Sequence, residues 1–97
     1  MAAPTRVLWR LPLSARHAEV ARMVQKGMMN AEITRALGIT ECAVKGMLYQ
    51  IYENVGCSGP TARIQLAVWV TRFDYERALS GPPLRYDGQP FTKRRNQ

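Results

Sequence analysis

Residues 28–55, MMNAEITRALGITECAVKGMLYQIYENV, leave the chain little freedom in how it folds. Ile33, Ala36 and Leu37 are spaced to bury one face of a helix over Asn30–Leu37. Gly38 then supplies the positive φ that ends a helix, and Ile39 returns to the core. Thr40 is a good N-cap for a second helix of about fifteen residues, because its hydroxyl can accept from an otherwise unpaired amide in the first turn. Along that helix Val44, Leu48, Ile51 and Val55 follow steps of four, three and four, which commits one side to a core. Lys45, Gly46, Tyr49 and Gln50 are left on the other side. Helix, short glycine turn and longer amphipathic helix make the helix-turn-helix pattern, whose second helix ordinarily enters the major groove of DNA.

The remaining residues must complete a core around that pair. Ninety-seven residues suffice for three or four helices, but not for a core plus an elaborate active site. A formal charge of +7 makes a polyanion the first partner to consider and a membrane surface the second. The charge is uneven. Residues 13–79 hold eight basic side chains (Arg16, Arg22, Lys26, Arg35, Lys45, Arg63, Arg72, Arg77) and six acidic ones (Glu19, Glu32, Glu41, Glu53, Asp74, Glu76), a net of +2. Arg6 and Arg10 add two before that segment; Arg85, Lys93, Arg94 and Arg95, less Asp87, add three after it. The ends are therefore more basic for their length than the middle.

No apolar run approaches the roughly eighteen residues of a membrane span. The first sixteen residues bear arginine and no acid, which loosely suits a transit peptide, but the first helix begins within them. The two cysteines, Cys42 and Cys57, do not form a CxxC, and with His17 the only histidine no ordinary zinc set can be assembled. A disulfide between them would join the start of a helix to the loop beyond its end, about 20 Å away, so reduced thiols are expected. No metal and no cofactor is implied.

Residues 1–12 read as an arm, with Pro4 and Pro12 around Val7, Leu8 and Trp9; Trp9 and Leu11 are the residues expected to lie on the bundle. Ser14 is the expected N-cap of the first helix, with Leu13 as its hydrophobic staple. Val20, Met23 and Val24 give the buried stripe, Lys26 suits the carboxyl end of the dipole, and Gly27 closes the helix. After the central pair, GCSGP over 56–60 is a loop by composition. A last helix starts at Pro60 or Thr61, passes through Ile64, Ala67, Val68 and Thr71, and is expected as far as Leu79. Ile64, Leu66, Ala67, Val68, Trp69 and Val70 cover more than one of its faces. One stripe can pack on the other helices, and the surplus predicts either a second copy or cover from the arm or the tail. The tail over 80–97 contains three prolines and two glycines without periodicity, and is expected to be irregular or mobile.

The ordered set Leu13-Ser14, Glu19-Val20, Gly27, Asn30, Glu32-Ile33, Leu37, Ile39-Thr40, Val44-Lys45, Ile51, Arg63 and Leu66-Ala67 resembles the LuxR-type (GerE-like) DNA-binding domain over residues 13–70. The resemblance implies an all-α, four-helix tetrahelical helix-turn-helix fold over 13–79, with an irregular amino-terminal arm and carboxy-terminal tail. It implies a small stand-alone, cytoplasmic regulator of bacterial or phage origin that binds double-stranded DNA. By position, Lys45, Gly46 and Tyr49 fall where such domains touch base edges. Thr40, Ala43 and Met47 fall at phosphate-contacting or supporting positions. Asn30 takes over a capping role beside Met29, which stands where the family carries a serine. Arg35 and the Lys93, Arg94, Arg95 cluster are further phosphate candidates. The last helix, through Ile64, Ala67, Val68 and Thr71, is where two copies would pair.

Several positions depart from the family: Ala31, Ala43, Met47 and Asn54 each remove a donor or a positive charge from the expected DNA face. That loss keeps a second class of function open, a helix-turn-helix co-regulator or inhibitor that docks on another regulator or on RNA polymerase. Glycine allows close approach and methionine adapts to irregular surfaces. An enzyme is not expected, since the carboxylates stand as singles along predicted helices and no phosphate-cradling loop is present.

Overall fold

The computed structural model describes residues 11–77 and 84–91. Trp9, Arg6 and Arg10 of the arm, and Lys93, Arg94 and Arg95 of the tail, lie outside these residues. Four helices follow in order: α1 (Ala15–Gln25), α2 (Asn30–Leu37), α3 (Glu41–Val55) and α4 (Ala62–Arg77). No strand is present among the described residues, and the fold is the all-α tetrahelical arrangement the sequence predicts.

Each helix begins and ends where local chemistry requires. Ser14 caps α1, its hydroxyl accepting from the His17 amide at 3.3 Å, and Leu13 and Ala18 pack on the core nearby. Gly27 closes the helix with φ 84°. The start of α2 differs from the expectation placed on Asn30. Its N-cap is Met29, which has no side-chain oxygen to offer, so the helix relies on Glu32, whose carboxylate accepts from the Met29 amide at 2.7 Å. Asn30 is already helical, and its Oδ1 accepts from Arg63 Nη1 at 2.7 Å. Ala36, expected on the buried face of α2, is exposed; Ile33 carries that face, with Leu37 half-buried beside it.

The core gathers Leu11, Val20, Ala21, Val24, Ile33, Val44, Leu48, Ile51, Val55, Leu66, Trp69, Val70 and Phe73. Antiparallel-style contact between α1 and α4 is not left to apolar packing alone: Arg22 donates from Nη1 and Nη2 to the two carboxylate oxygens of Asp74, at 2.5 and 2.9 Å. The pair is largely shielded from solvent, the setting in which charge-assisted hydrogen bonds contribute most.

In α4 the stripe that faces inward is Ala62, Leu66, Trp69, Val70 and Phe73, while Ile64 and Val68 face out. The inward face packs on α1 and α3, and the tail covers it further at Trp69. Residues 84–91 form a turn closed by an isolated bridge between Leu84 and Pro90, and Phe91 stacks at a tilt on Trp69 with centroids 5.9 Å apart. The Trp69 indole Nε1 donates to the Leu84 carbonyl at 2.8 Å, and the Tyr86 amide donates to the Val55 carbonyl at the end of α3 at 2.7 Å. The part of the tail expected to be merely irregular is thus an irregular but closely packed clasp over 84–91. Gly56 makes the approach possible: at φ 91° it ends α3, and a Cβ there would come within 2.8 Å of the Asp87 carboxyl.

Both thiols are free, Cys42 exposed and Cys57 buried beneath the clasp. Burial pushes the Cys57 thiol up to about 11, with Asp87 adding to the shift and Arg85 opposing it. A pKa higher in the folded than in the unfolded chain means that the folded state holds the proton longer. The corresponding stability is complete below pH 9 and is lost as pH rises through about 11. Denaturant midpoints measured across that range should therefore fall in the wild type and fall less in Cys57→Ala. At neutral pH a thiol reagent should label Cys42 quickly and Cys57 only on unfolding.

Candidate nucleic-acid interface

The orientation of α3 is fixed at its first residue. Gly38 takes the left-handed conformation, φ 67° and ψ 36°, and its amide returns to the Thr34 carbonyl at 2.8 Å. Ile39 then drops onto the core, and Thr40 Oγ1 accepts from the Ala43 amide at 3.1 Å. Val44, Ile51 and Val55 are wholly buried and Leu48 nearly so, which pins one side of α3. On the other, Lys45, Gly46, Tyr49 and Gln50 are exposed, Tyr49 to 74%. Thr40 and Ala43 are exposed at the leading end of the helix, Met47 is half-buried against the core, and Arg35 is exposed in the last turn of α2. The predicted base-edge residues therefore lie together on α3, with Thr40, Ala43 and Met47 on the same helix or at its cap, whereas Asn30 is engaged by Arg63 at the start of α2.

The pattern describing the bacterial regulatory proteins of the luxR family matches residues 11–68, more than half of the chain. The chain belongs to the luxR family. Comparison with curated proteins and with solved structures gave no significant match.

Within this luxR-family domain, the charge on the exposed face of α3 is sparse. Lys45 is the single cation of the helix, against Glu41 and Glu53. Arg63 is turned to internal use: besides Asn30, it donates to the Met28 carbonyl, so the first turn of α4 holds the entry to α2. Sequence reasoning placed Arg63 in the family pattern without seeing this role, because its partners lie 33 and 35 positions away. Tyr52 is half-buried beside it. Burial raises the Tyr52 phenol above its usual range, against a smaller opposing effect from the Arg63 charge. A shallow depression of about 440 Å³ separates Tyr49, Tyr52 and Glu53 from the loop at Ser58 and Gly59.

Gly46 stands in open space, with nothing within 4 Å of where a Cβ would lie. Helical, exposed and unconstrained, it costs α3 roughly 1 kcal/mol relative to alanine. Gly46→Ala should raise the unfolding free energy by about that amount, and the melting temperature by about 4–8 °C, as read by circular dichroism.

The outer face of α4 carries Ile64 (64% exposed) and Val68 (41%), the predicted pairing residues. Ala67 lies at the edge of the core, and the Thr71 hydroxyl accepts from Gln25 at 3.2 Å while donating to the Ala67 carbonyl. Tyr75, 73% exposed and one to two turns further on, extends the apolar stripe; the sequence reading passed over it.

Proposed function

We propose that this luxR-family chain is a small transcription regulator that acts as a homodimer and reads double-stranded DNA through the major groove with α3. The observation that carries the reading is the division of α3, one side sealed in the core and the other exposed at Lys45, Gly46, Tyr49 and Gln50. Lys45 can donate to guanine O6 or N7, Tyr49 presents a hydroxyl and a ring edge, and Gly46 lets the helix seat closely. Arg35, with the arginines of the arm and the Lys93–Arg95 cluster, supplies phosphate contacts that position the domain without reading sequence. Pairing through Ile64, Val68 and the neighbouring Ala67 and Thr71 compensates for the thin charge of the core, because two linked half-sites raise affinity without new contacts. Its place of action is then the cytoplasm.

Selection of bound duplexes from a random pool should enrich a two-fold symmetric motif, with affinity falling steeply as salt rises. Lys45→Ala and Tyr49→Ala should each lose about 1–3 kcal/mol of discrimination at their own positions. Enrichment indifferent to both changes would sink this assignment. The one-to-two ratio of Lys45 to Glu41 and Glu53 on α3 favours a second reading, a co-regulator that docks on another regulator or on RNA polymerase. It predicts no duplex retention even at low salt.

A further inference from the structure

On the exposed side of α3, Lys45, Tyr49 and Glu53 follow one another at steps of four, so they form a single row along the helix with neighbours about 6 Å apart on its axis. The first two members of this row are the base readers of the proposed function. The third is a carboxylate in a position with nothing local to recommend it. Glu53 is exposed and lies in the last turn of α3, where the carbonyl end of the dipole disfavours negative charge and where the helix carries no basic residue. The residues three and four positions away are Gln50, Gly56, Tyr49 and Cys57, none of them a cation. Among the described residues no ion pair reaches it. A residue that breaks a local rule without a compensating contact in its own fold is a candidate for contact with something else.

Resting on the DNA-reading assignment, we propose that Glu53 is a specificity-determining residue that requires a cytosine in the bound duplex. In the major groove the cytosine N4 amino group is a donor that glutamate accepts from; adenine sets its N7 acceptor beside its N6 amino group, which disfavours a carboxylate, guanine offers only acceptors, and phosphate oxygens repel a carboxylate. Glu53 is therefore satisfied at a cytosine and left desolvated beside acceptors at guanine, so it discriminates chiefly by penalising the wrong duplex. The same penalty holds down binding to duplexes at large, which complements a face whose one cation is Lys45. Glutamine at the same place would exchange the cytosine preference for adenine, since its amide both donates and accepts.

The test is duplex selection with the full chain and with Glu53→Gln, followed by affinities on the enriched duplex and on a copy in which the implicated cytosine pair is replaced. The wild type should lose about tenfold or more on that replacement. Glu53→Gln should lose the preference at that position alone, keep the Lys45-dependent positions, and bind random duplex more tightly. Its melting temperature should equal or exceed that of the wild type, which separates the effect from misfolding. An unchanged motif in Glu53→Gln, or a motif with no cytosine sensitive to it, overturns the proposal while leaving the DNA-reading assignment in place. Failure of both proteins to retain any duplex removes the assignment and the proposal together. Retention by Glu53→Gln alone supports the penalty.

Discussion

Trp69→Ala should destabilise the domain by about 3–5 kcal/mol, the range for removing a large buried aromatic side chain. The indole is 3% exposed, lies against Phe73 at 5.6 Å and Phe91 at 5.9 Å between centroids, and gives its N–H to the Leu84 carbonyl. Its loss opens a cavity between α4 and the clasp and leaves the Leu84 carbonyl without a donor. For a domain of this size, whose total stability is on the order of 5–15 kcal/mol, that is enough to bring the unfolding midpoint close to ambient conditions. Trp69→Phe separates the two contributions: it keeps most of the packing, forfeits the hydrogen bond, and should cost about 1–2 kcal/mol. Urea titrations of the three proteins check both values. A change below about 1 kcal/mol in Trp69→Ala would mean that the clasp is peripheral to the fold.

The second large effect concerns assembly. Ile64→Glu combined with Val68→Glu places two carboxylates on the outer face of α4, where both side chains are exposed in the single chain. The fold itself should change little, within about 0.5 kcal/mol per substitution. If the proposed homodimer forms, light scattering should nevertheless report a dimer for the wild type and a monomer for this variant. Affinity for a two-fold symmetric duplex should fall by about 10²–10⁴, the advantage conferred by linked half-sites, while affinity for an isolated half-site stays as it was. A variant that still dimerises would move the pairing surface away from α4.

The contrast between α3 and α4 shows what could be read before any coordinates. The faces of α3 were legible because Val44, Leu48, Ile51 and Val55 recur at helical spacing among polar residues, and because Gly38 and Thr40 mark its entry. The same reasoning could not orient α4, which is apolar nearly all round from Ile64 to Val70. Its inward stripe packs on α1 and α3 and receives further cover from Tyr86 and Phe91, which lie in a segment without periodicity. The clasp is held by single long-range contacts, Trp69 to Leu84 and Tyr86 to Val55, and such contacts leave no local pattern. Asn30 was misjudged as a cap for a related reason: a short polar side chain at a helix start suits a cap equally well, and only the arrival of Arg63 assigns it elsewhere. Of the candidate site, Lys45, Gly46, Tyr49 and Gln50 were legible as the exposed side of α3, while Glu53 did not stand out from the other single carboxylates. The unpaired state of Glu53 was not legible, because sequence cannot exclude a distant cation.

The Tyr86 amide that meets the Val55 carbonyl has a practical corollary for anyone wishing to transplant this domain. An excision guided by the luxR pattern would stop at residue 68, discarding Trp69, Val70 and Phe73 from the interior and the strut that steadies the rear of α3. The smallest portable unit extends through Phe91.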